Sequence, residues 1–222
     1  PHSPMITVKY FTFNSFEENT YVLSDHTNEC VIIDPGCQLA DEESELSAYI
    51  AENQLKPVKL INTHCHIDHV LGNWYVADTF ALDLYIHPEE EVVLDSTAGI
   101  ANLYGISMTP SPRAAHFLND GDMLKFGESE LQVRFTPGHS PGSISFYSAA
   151  DKFVISGDVL FEMSIGRTDL PGGDFDTLMK SIAEKLLVLD DDVVVYPGHG
   201  RPTTIGRERK MNPFLREHIQ DH

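Results

Sequence analysis

The chain has 222 residues with 41% hydrophobic and 22% charged content, enough apolar material for a well-buried domain. Its 15 Lys and Arg stand against 34 Asp and Glu, a formal charge of −19 with histidine neutral, so nucleic acid is not an expected partner of a surface that repels polyanions. No run approaches the about 18 continuous apolar residues of a membrane helix, no secretory apolar core opens the chain, and Cys30, Cys37 and Cys65 form no C-x-x-C pair, which fits a reducing, cytoplasmic setting.

Pro1-His2-Ser3-Pro4 reads as a cloning remnant, leaving residues 5–222 as one domain. Ile6 to Phe13, Asn19 to Leu23 and Cys30 to Ile33 predict three strands at a sheet edge, the last stopped by Asp34-Pro35-Gly36. Asp41 is placed to cap a helix whose Leu46, Tyr49 and Ile50 share a face. Pro57 then leads into a buried strand through Val58, Leu60 and Ile61.

Directly behind that strand comes Thr63-His64-Cys65-His66-Ile67-Asp68-His69, with three imidazoles and a carboxylate inside six residues. His64 and His66 lie two apart as the chain leaves a strand, so they point the same way and can hold one metal ion. Asp68 and His69 fall where Val70, Leu71, Trp74 and Tyr75 begin a helical period, face a different point, and suit a second ion. A simple helix cap needs one carboxylate and no histidine. Cys65 points away by alternation and reads as a core residue.

Leu82 to Ile86 predicts a short strand, His87 a structural polar residue, and Glu89-Glu90-Glu91 the solvated start of a helix reaching Leu94. From Ser96 to Ala115 the residues Gly99, Gly105, Pro110 and Pro112 break every period, which predicts a long irregular loop, either bordering a site or packed on the core. Strands resume at Met123 to Phe126, Leu131 to Phe135, Ile144 to Tyr147, Phe153 to Ile155 and Val193 to Val195. Asp174 caps a helix with Phe175, Leu178, Met179, Ile182 and Leu186 on one stripe. The order of strands, helix, strand and ligand is met twice, as in two similar halves packed sheet to sheet with helices outside.

Three later strands each run through a glycine into a metal-ligand side chain: Gly138-His139, Gly157-Asp158 and Gly198-His199. Glycine there permits a tight turn and close backbone approach. Ligand sites lie beyond the carboxyl ends of strands in many sheet proteins, so the repeated context joins these residues to the first cluster.

The H-x-H-x-D-H run, these three positions, and the stretch Ser164 to Gly173 together resemble the metallo-β-lactamase-fold hydrolases, nearest to the short bacterial glyoxalase II-like thioesterases, from about Met5 to Phe214. The resemblance implies an α+β, four-layer αββα sandwich of two mixed β-sheets. It implies two divalent cations, zinc first, with iron or manganese equally suited to nitrogen and oxygen donors. His64, His66 and His139 would hold one ion, and Asp68, His69 and His199 the other, with Asp158 bridging. A hydroxide shared by the ions would attack a carbonyl, with Asp68 steering the water and accepting its proton.

A small thioester such as S-lactoylglutathione suits this chemistry, because a thiolate leaves without a general acid. Asp34 is either a plain turn residue or, as in the resembled family, a support behind the metal loop. Arg167 either anchors an acidic substrate group or pairs with Asp169. The tail Pro202 to Phe214 is also typical of the group and reads as a helix closing the second half. Long glyoxalase II enzymes add a C-terminal helical segment that grips glutathione, whereas this chain ends soon after His199, so the resemblance does not carry glutathione specificity. Arg167, Arg201, Arg207 and Lys210 are candidates for another grip.

The readings kept beside thioester hydrolysis are an iron-dependent persulfide dioxygenase, which shares a Gly-Arg-Thr-Asp stretch like Gly166 to Asp169, a nuclease or lactonase of the same fold, and a metal-dependent scaffold without turnover. No membrane association is expected, and the chain is read as a monomer or small homo-oligomer.

Overall fold

The computed structural model describes residues 5–218, and the tetrapeptide ahead of Met5 lies outside them. By proximity these residues form two compact units, one of residues 5–118 with 124–130, the other of residues 119–123 with 131–218.

In the first unit β1 (Thr7–Phe13), β2 (Glu18–Ser24) and β3 (Glu29–Ile33) form an antiparallel meander. Helix α1 (Ala40–Glu52) leads to β4 (Lys56–Ile61), which lies parallel to β3. The short α2 (Ile67–Val70) and α3 (Asn73–Phe80) lead to β5 (Leu84–Ile86), parallel to β4. A 3-10 turn over Pro88–Glu90 and helix α4 (Glu91–Tyr104) then reach β6 (Ala114–Phe117), parallel to β5. Parallel neighbours need crossovers, and the helices supply them. Leu46 and Ile50 bury one face of α1 in a cluster with Leu60 and Leu84 of the sheet, and burying each such side chain stabilises by roughly 1.5–3 kcal/mol.

The second sheet is built from β7 (Met123–Phe126), β8 (Ser129–Phe135), β9 (Ile144–Ser148), β10 (Phe153–Gly157) and two later strands, with the hairpin β11 (Leu160–Phe161) and β12 (Ser164–Ile165) as a separate pair. Helix α5 (Phe175–Ser181) continues as a π-helical stretch over Ile182–Leu186 into β13 (Val194–Pro197), and β14 (Thr203–Thr204) precedes α6 (Ile205–Met211) and α7 (Pro213–His218). The order is β14-β13-β10-β9-β8-β7, against β1-β2-β3-β4-β5-β6 in the first sheet. Parallel pairing of β10 with β13 among antiparallel neighbours makes this sheet mixed as well. Leu178, Ile182, Leu186 and Val195 form the heart of its apolar cluster. The expected α+β class, two mixed β-sheets with helices, is present. No helix among the described residues is long and apolar enough to cross a membrane.

Several expectations are corrected. The break predicted from Ser96 is instead the body of α4, which runs on to Tyr104 and stops at Gly105 in the left-handed conformation. Its buried positions are Leu94, Thr97 and Ala101, a helical spacing that Thr and Ala conceal in an apolar pattern. Irregular chain is confined to residues 106–113. It is tied down where Gln38 Nε2 donates to Ser107 O at 2.9 Å and Asn73 Nδ2 to Ser111 Oγ at 2.9 Å.

The α1 cap is Leu39 rather than Asp41, with the Glu42 carboxylate accepting from Leu39 N at 3.2 Å and Gln38 N at 2.9 Å. Asp174 does cap α5, accepting from Thr177 N at 2.9 Å, but Phe175 leaves the predicted buried stripe and stands 38% exposed. The tail expected as one helix is β14 followed by α6 and α7.

Gly99 lies inside α4, and an added Cβ meets nothing within 4 Å. Gly99→Ala is therefore expected to raise stability by about 0.5–1 kcal/mol, read as an upward shift of the urea midpoint. A downward shift contradicts a helix through this position.

Candidate metal centre

In the first unit the candidate ligands follow from strand order. Strand β4 lies between β3 and β5 and parallel to both, so the three strands release their following residues at one edge of the sheet. Asp34 leaves β3 with φ +53°, its own N–H donating to Ile61 O of β4 at 2.9 Å. Its Oδ1 accepts from Thr63 N at 2.7 Å, and its Oδ2 accepts from Thr63 Oγ1 at 2.6 Å and faces His69 Nδ1 at 3.0 Å. Of the two readings left open, Asp34 is thus the support behind the ligand loop. Asn14, in the β1–β2 turn, adds a bond from its Nδ2 to Asp68 O at 3.1 Å.

His64 and His69 are fully buried, Asp68 is buried and His66 half-buried. The ring of His64 sits 4.9 Å from that of His66 and 4.1 Å from that of His69, centroid to centroid. Cys65 packs in the apolar cluster, and burial, with the Glu90 and Asp34 charges adding, pushes its thiol well above the ordinary range. It stays a thiol at neutral pH, which agrees with its reading as core. His87 caps the 3-10 turn, its Nδ1 accepting from Glu89 N at 3.1 Å.

In the second unit β10 and β13 run side by side, and Gly198 N donates to Gly157 O at 2.8 Å where both strands end. Asp158 and His199 therefore emerge together. Strand β8 reaches the same edge through β9, and there Gly138 adopts φ +135°, with a Cβ position only 2.3 Å from the Leu178 backbone. No other residue fits that turn. His139 Nδ1 stands 2.7 Å from Arg167 O. Its Nε2 lies 3.4 Å from Asp158 Oδ2, and His199 Nε2 lies 3.3 Å from the same oxygen.

Hydrogen-bond chemistry makes both groups fit a cation. A carbonyl oxygen can only accept, so His139 Nδ1 carries a proton and its Nε2 faces a carboxylate. His69 repeats the pattern, with Nδ1 on Asp34 and Nε2 3.3 Å from Asp68 Oδ2. A positive charge between Nε2 and the carboxylate, a proton or a metal ion, suits both, and orientation of imidazole by a second oxygen is the usual arrangement behind a metal-bound histidine.

Two acidic residues were missed in the sequence. Glu18, at the start of β2, is fully buried, with Oε1 3.4 Å from His69 Nδ1. Burial raises its pKa well above the carboxylate range, the charge of His69 opposing and those of Asp34 and Asp68 adding. The polar run Glu18-Asn19-Thr20 in a strand buried on both faces was its available signal. Glu90, expected as part of a solvated helix start, is fully buried, and its Oε1 accepts from Cys65 N at 2.7 Å. Nothing in a triple-glutamate run distinguishes it.

Arg167 grips Asp169 through Nε at 2.7 Å and a terminal nitrogen at 2.8 Å, and these bonds hold the Asp169 carboxyl down to about 2. Arg201 and Arg207 meet at Glu162, at 2.9 and 3.5 Å, whereas Lys210 shares a surface groove with Arg207, Asp191 and Asp192.

A profile described as the metallo-beta-lactamase superfamily matches residues 15–199. The chain belongs to that superfamily. Among its relatives, the probable metallo-hydrolase YqgX of Bacillus subtilis is 41% identical over 197 residues, covering 88% of this chain and 90% of the relative. Hydroxyacylglutathione hydrolase GloC of Haemophilus influenzae is 34% identical over 212 residues, covering 95% and 98%. Of solved structures, the BLEG-1 B3 metallo-beta-lactamase superposes with a TM-score of 0.87 at 40% identity, covering 94% of this chain and 99% of that one. TTHA1623 in a di-iron-bound form gives 0.85 at 36%, covering 94% and 100%. Metallo-beta-lactamase-fold relatives thus span nearly the whole chain, and in each unit the candidate ligands follow the ends of strands.

Asp34→Ala takes the buried acceptor from Thr63 N and one partner each from Thr63 Oγ1 and His69 Nδ1, at an expected cost of about 3 kcal/mol. Chemical denaturation measures it, and an unchanged midpoint contradicts the support role.

Proposed function

We propose that the chain is a dinuclear metal-dependent hydrolase of small thioesters. In this reading His64, His66 and His139 would hold one cation and Asp68, His69 and His199 the other, with Asp158 available to both. The observation that carries the metal part is the pair of imidazoles, His69 and His139, each with Nδ1 committed to an oxygen and Nε2 facing a carboxylate. The thioester part rests on likeness to a hydroxyacylglutathione hydrolase along nearly all of both chains.

Two divalent cations held by these residues would supply a water of pKa about 7 and an electrophile for the carbonyl. Asp34 and the Arg167 carbonyl orient the imidazoles of His69 and His139, and Asp68, among the ligands, would orient the water and accept its proton. Arg167 is the proposed contact for an acidic substrate group, with its exposed guanidinium already steadied by Asp169. A thiolate leaving group needs no acid, and no general acid has to be assigned. Zinc is the proposed metal; the di-iron form of a similar protein makes iron the first competitor. The buried thiols, Cys30 among them with its pKa pushed up by burial to about 12, accord with a reducing cytoplasmic location.

The test is elemental analysis of the purified protein together with a panel of S-lactoylglutathione, other thioesters, β-lactams and persulfides. The reading expects two metals per chain and thioester cleavage without oxygen uptake. It also expects His139→Ala to lose metal and turnover together. Thiol-dependent oxygen consumption with a single iron overturns it in favour of a persulfide dioxygenase, and a fully active His139→Ala variant overturns the ligand assignment.

A further inference from the structure

Strand β5 lies beside β4 in parallel register, with Leu60 opposite Leu84 and Ile61 opposite Tyr85, and the ladder is extended where Asn62 N donates to Tyr85 O at 3.1 Å. Both strands stop at the same level. The chain leaving β4 becomes the His64-Cys65-His66 segment, and the chain leaving β5 becomes His87 and the turn Pro88–Glu90. That turn is closed by three fixed contacts: Pro88 sets its first φ, His87 Nδ1 accepts from Glu89 N at 3.1 Å, and Glu90 N donates to His87 O at 3.0 Å. The result is a short rigid arm with Glu90 at its tip. The Glu90 side chain is fully buried and its Oε1 is 2.7 Å from Cys65 N.

A backbone N–H beyond the end of a strand has lost its ladder partner and must find another if buried. Water is excluded here, and the partner is a carboxylate, the strongest neutral-pH acceptor a side chain offers. Cys65 is the residue between two candidate ligands. Fixing its peptide plane restrains the rotation of the chain at that point, where the Cys65 thiol packs in the apolar cluster and the flanking His64 and His66 rings stand 4.9 Å apart.

We propose that Glu90 is a positioning residue for metal binding, acting through the Cys65 peptide to set the spacing of His64 and His66. The proposal rests on the reading of those histidines as metal ligands and is independent of the substrate. Loss of an outer partner of this kind weakens metal affinity by about 10- to 100-fold.

The test loads metal-stripped full-length protein with cobalt(II) and reads affinity by calorimetry and ligand geometry by visible absorption. Glu90→Ala is expected to weaken cobalt binding in that range and to shift the absorption bands. Glu90→Gln keeps an oxygen that can accept from Cys65 N, and is expected to restore both affinity and spectrum. Glu90→Asp keeps the charge, withdraws the oxygen by one methylene, and serves as the folded counterpart should the alanine variant not fold. It is expected to shift the bands as alanine does.

Wild-type affinity and spectrum in Glu90→Asp, or in a folded Glu90→Ala, overturn the proposal, even where thermal stability falls. A glutamine variant as impaired as alanine overturns it too, by showing that charge rather than the hydrogen bond matters. A wild-type protein that takes up no cobalt instead sinks the metal-centre reading itself, and this inference with it.

Discussion

Everything in the first unit that bears on chemistry depends on how a ligand-bearing segment is held once it has left its strand. Strand β4 has β3 on one side and β5 on the other, and both neighbours send a buried carboxylate across to it, Asp34 to Thr63 N and Glu90 to Cys65 N. The backbone that carries the histidines is therefore gripped from both flanks just where the ladder ends. Hydrogen bonds to charged acceptors contribute about 1.5–3 kcal/mol each, and an orphaned buried partner costs a similar amount. A sheet with one parallel neighbour could supply one such grip; the run of parallel pairing from β3 through β5 supplies two.

That solution concentrates negative charge. Glu18, Asp34, Asp68 and Glu90 are all buried in the first unit, and Asp158 in the second. Burying an ionised carboxylate is costly without a compensating cation, and the raised pKa of Glu18 shows what happens where compensation falls short. With a net charge of −19 the protein has little surplus of its own cations to spend there. Its basic side chains near the later ligands are committed elsewhere, Arg167 to Asp169 and Arg201 with Arg207 to Glu162. On the proposed reading the metal pair would supply that positive charge.

This arrangement also decides what the sequence could reveal. Apolar runs and ligand-type residues are local signals, so β4 and the cluster behind it, and the three glycine-ligand steps, were all legible. Helix α4 was not, because, of its buried positions, Thr97 is polar and Ala101 small, and Gly99 looks like a break when it is a helical glycine whose Cβ position meets nothing. Asp34 was ambiguous because its meaning lies in contacts to residues 63 and 69. Glu90 was misread outright: its role depends on strand register, and no window around 89–91 contains that information. The orienting group of His139 is harder still, since it is a backbone carbonyl and could belong to any residue.

The contrast between His69 and His139 carries the argument a step further. Both have Nδ1 bound to oxygen, but His69 faces the carboxylate of Asp34, anchored at the end of β3, whereas His139 faces the main chain of Arg167. A carboxylate raises the basicity of its imidazole more than a carbonyl does, and the first arrangement is part of a sheet while the second is part of a loop. That loop is fixed at a distance. Buried Glu208 of α6 accepts from Met163 N at 2.8 Å, Asn212 Nδ2 donates to Ser164 O at 3.0 Å, and Gly166 N donates to Val159 O at 3.1 Å. Helix α6 and its C-cap thus hold the β11–β12 hairpin, the hairpin leads to Arg167, and the Arg167 carbonyl orients His139. The segment after His199 is therefore part of what orients His139, and it is the backbone of Arg167, not its side chain, that performs this task.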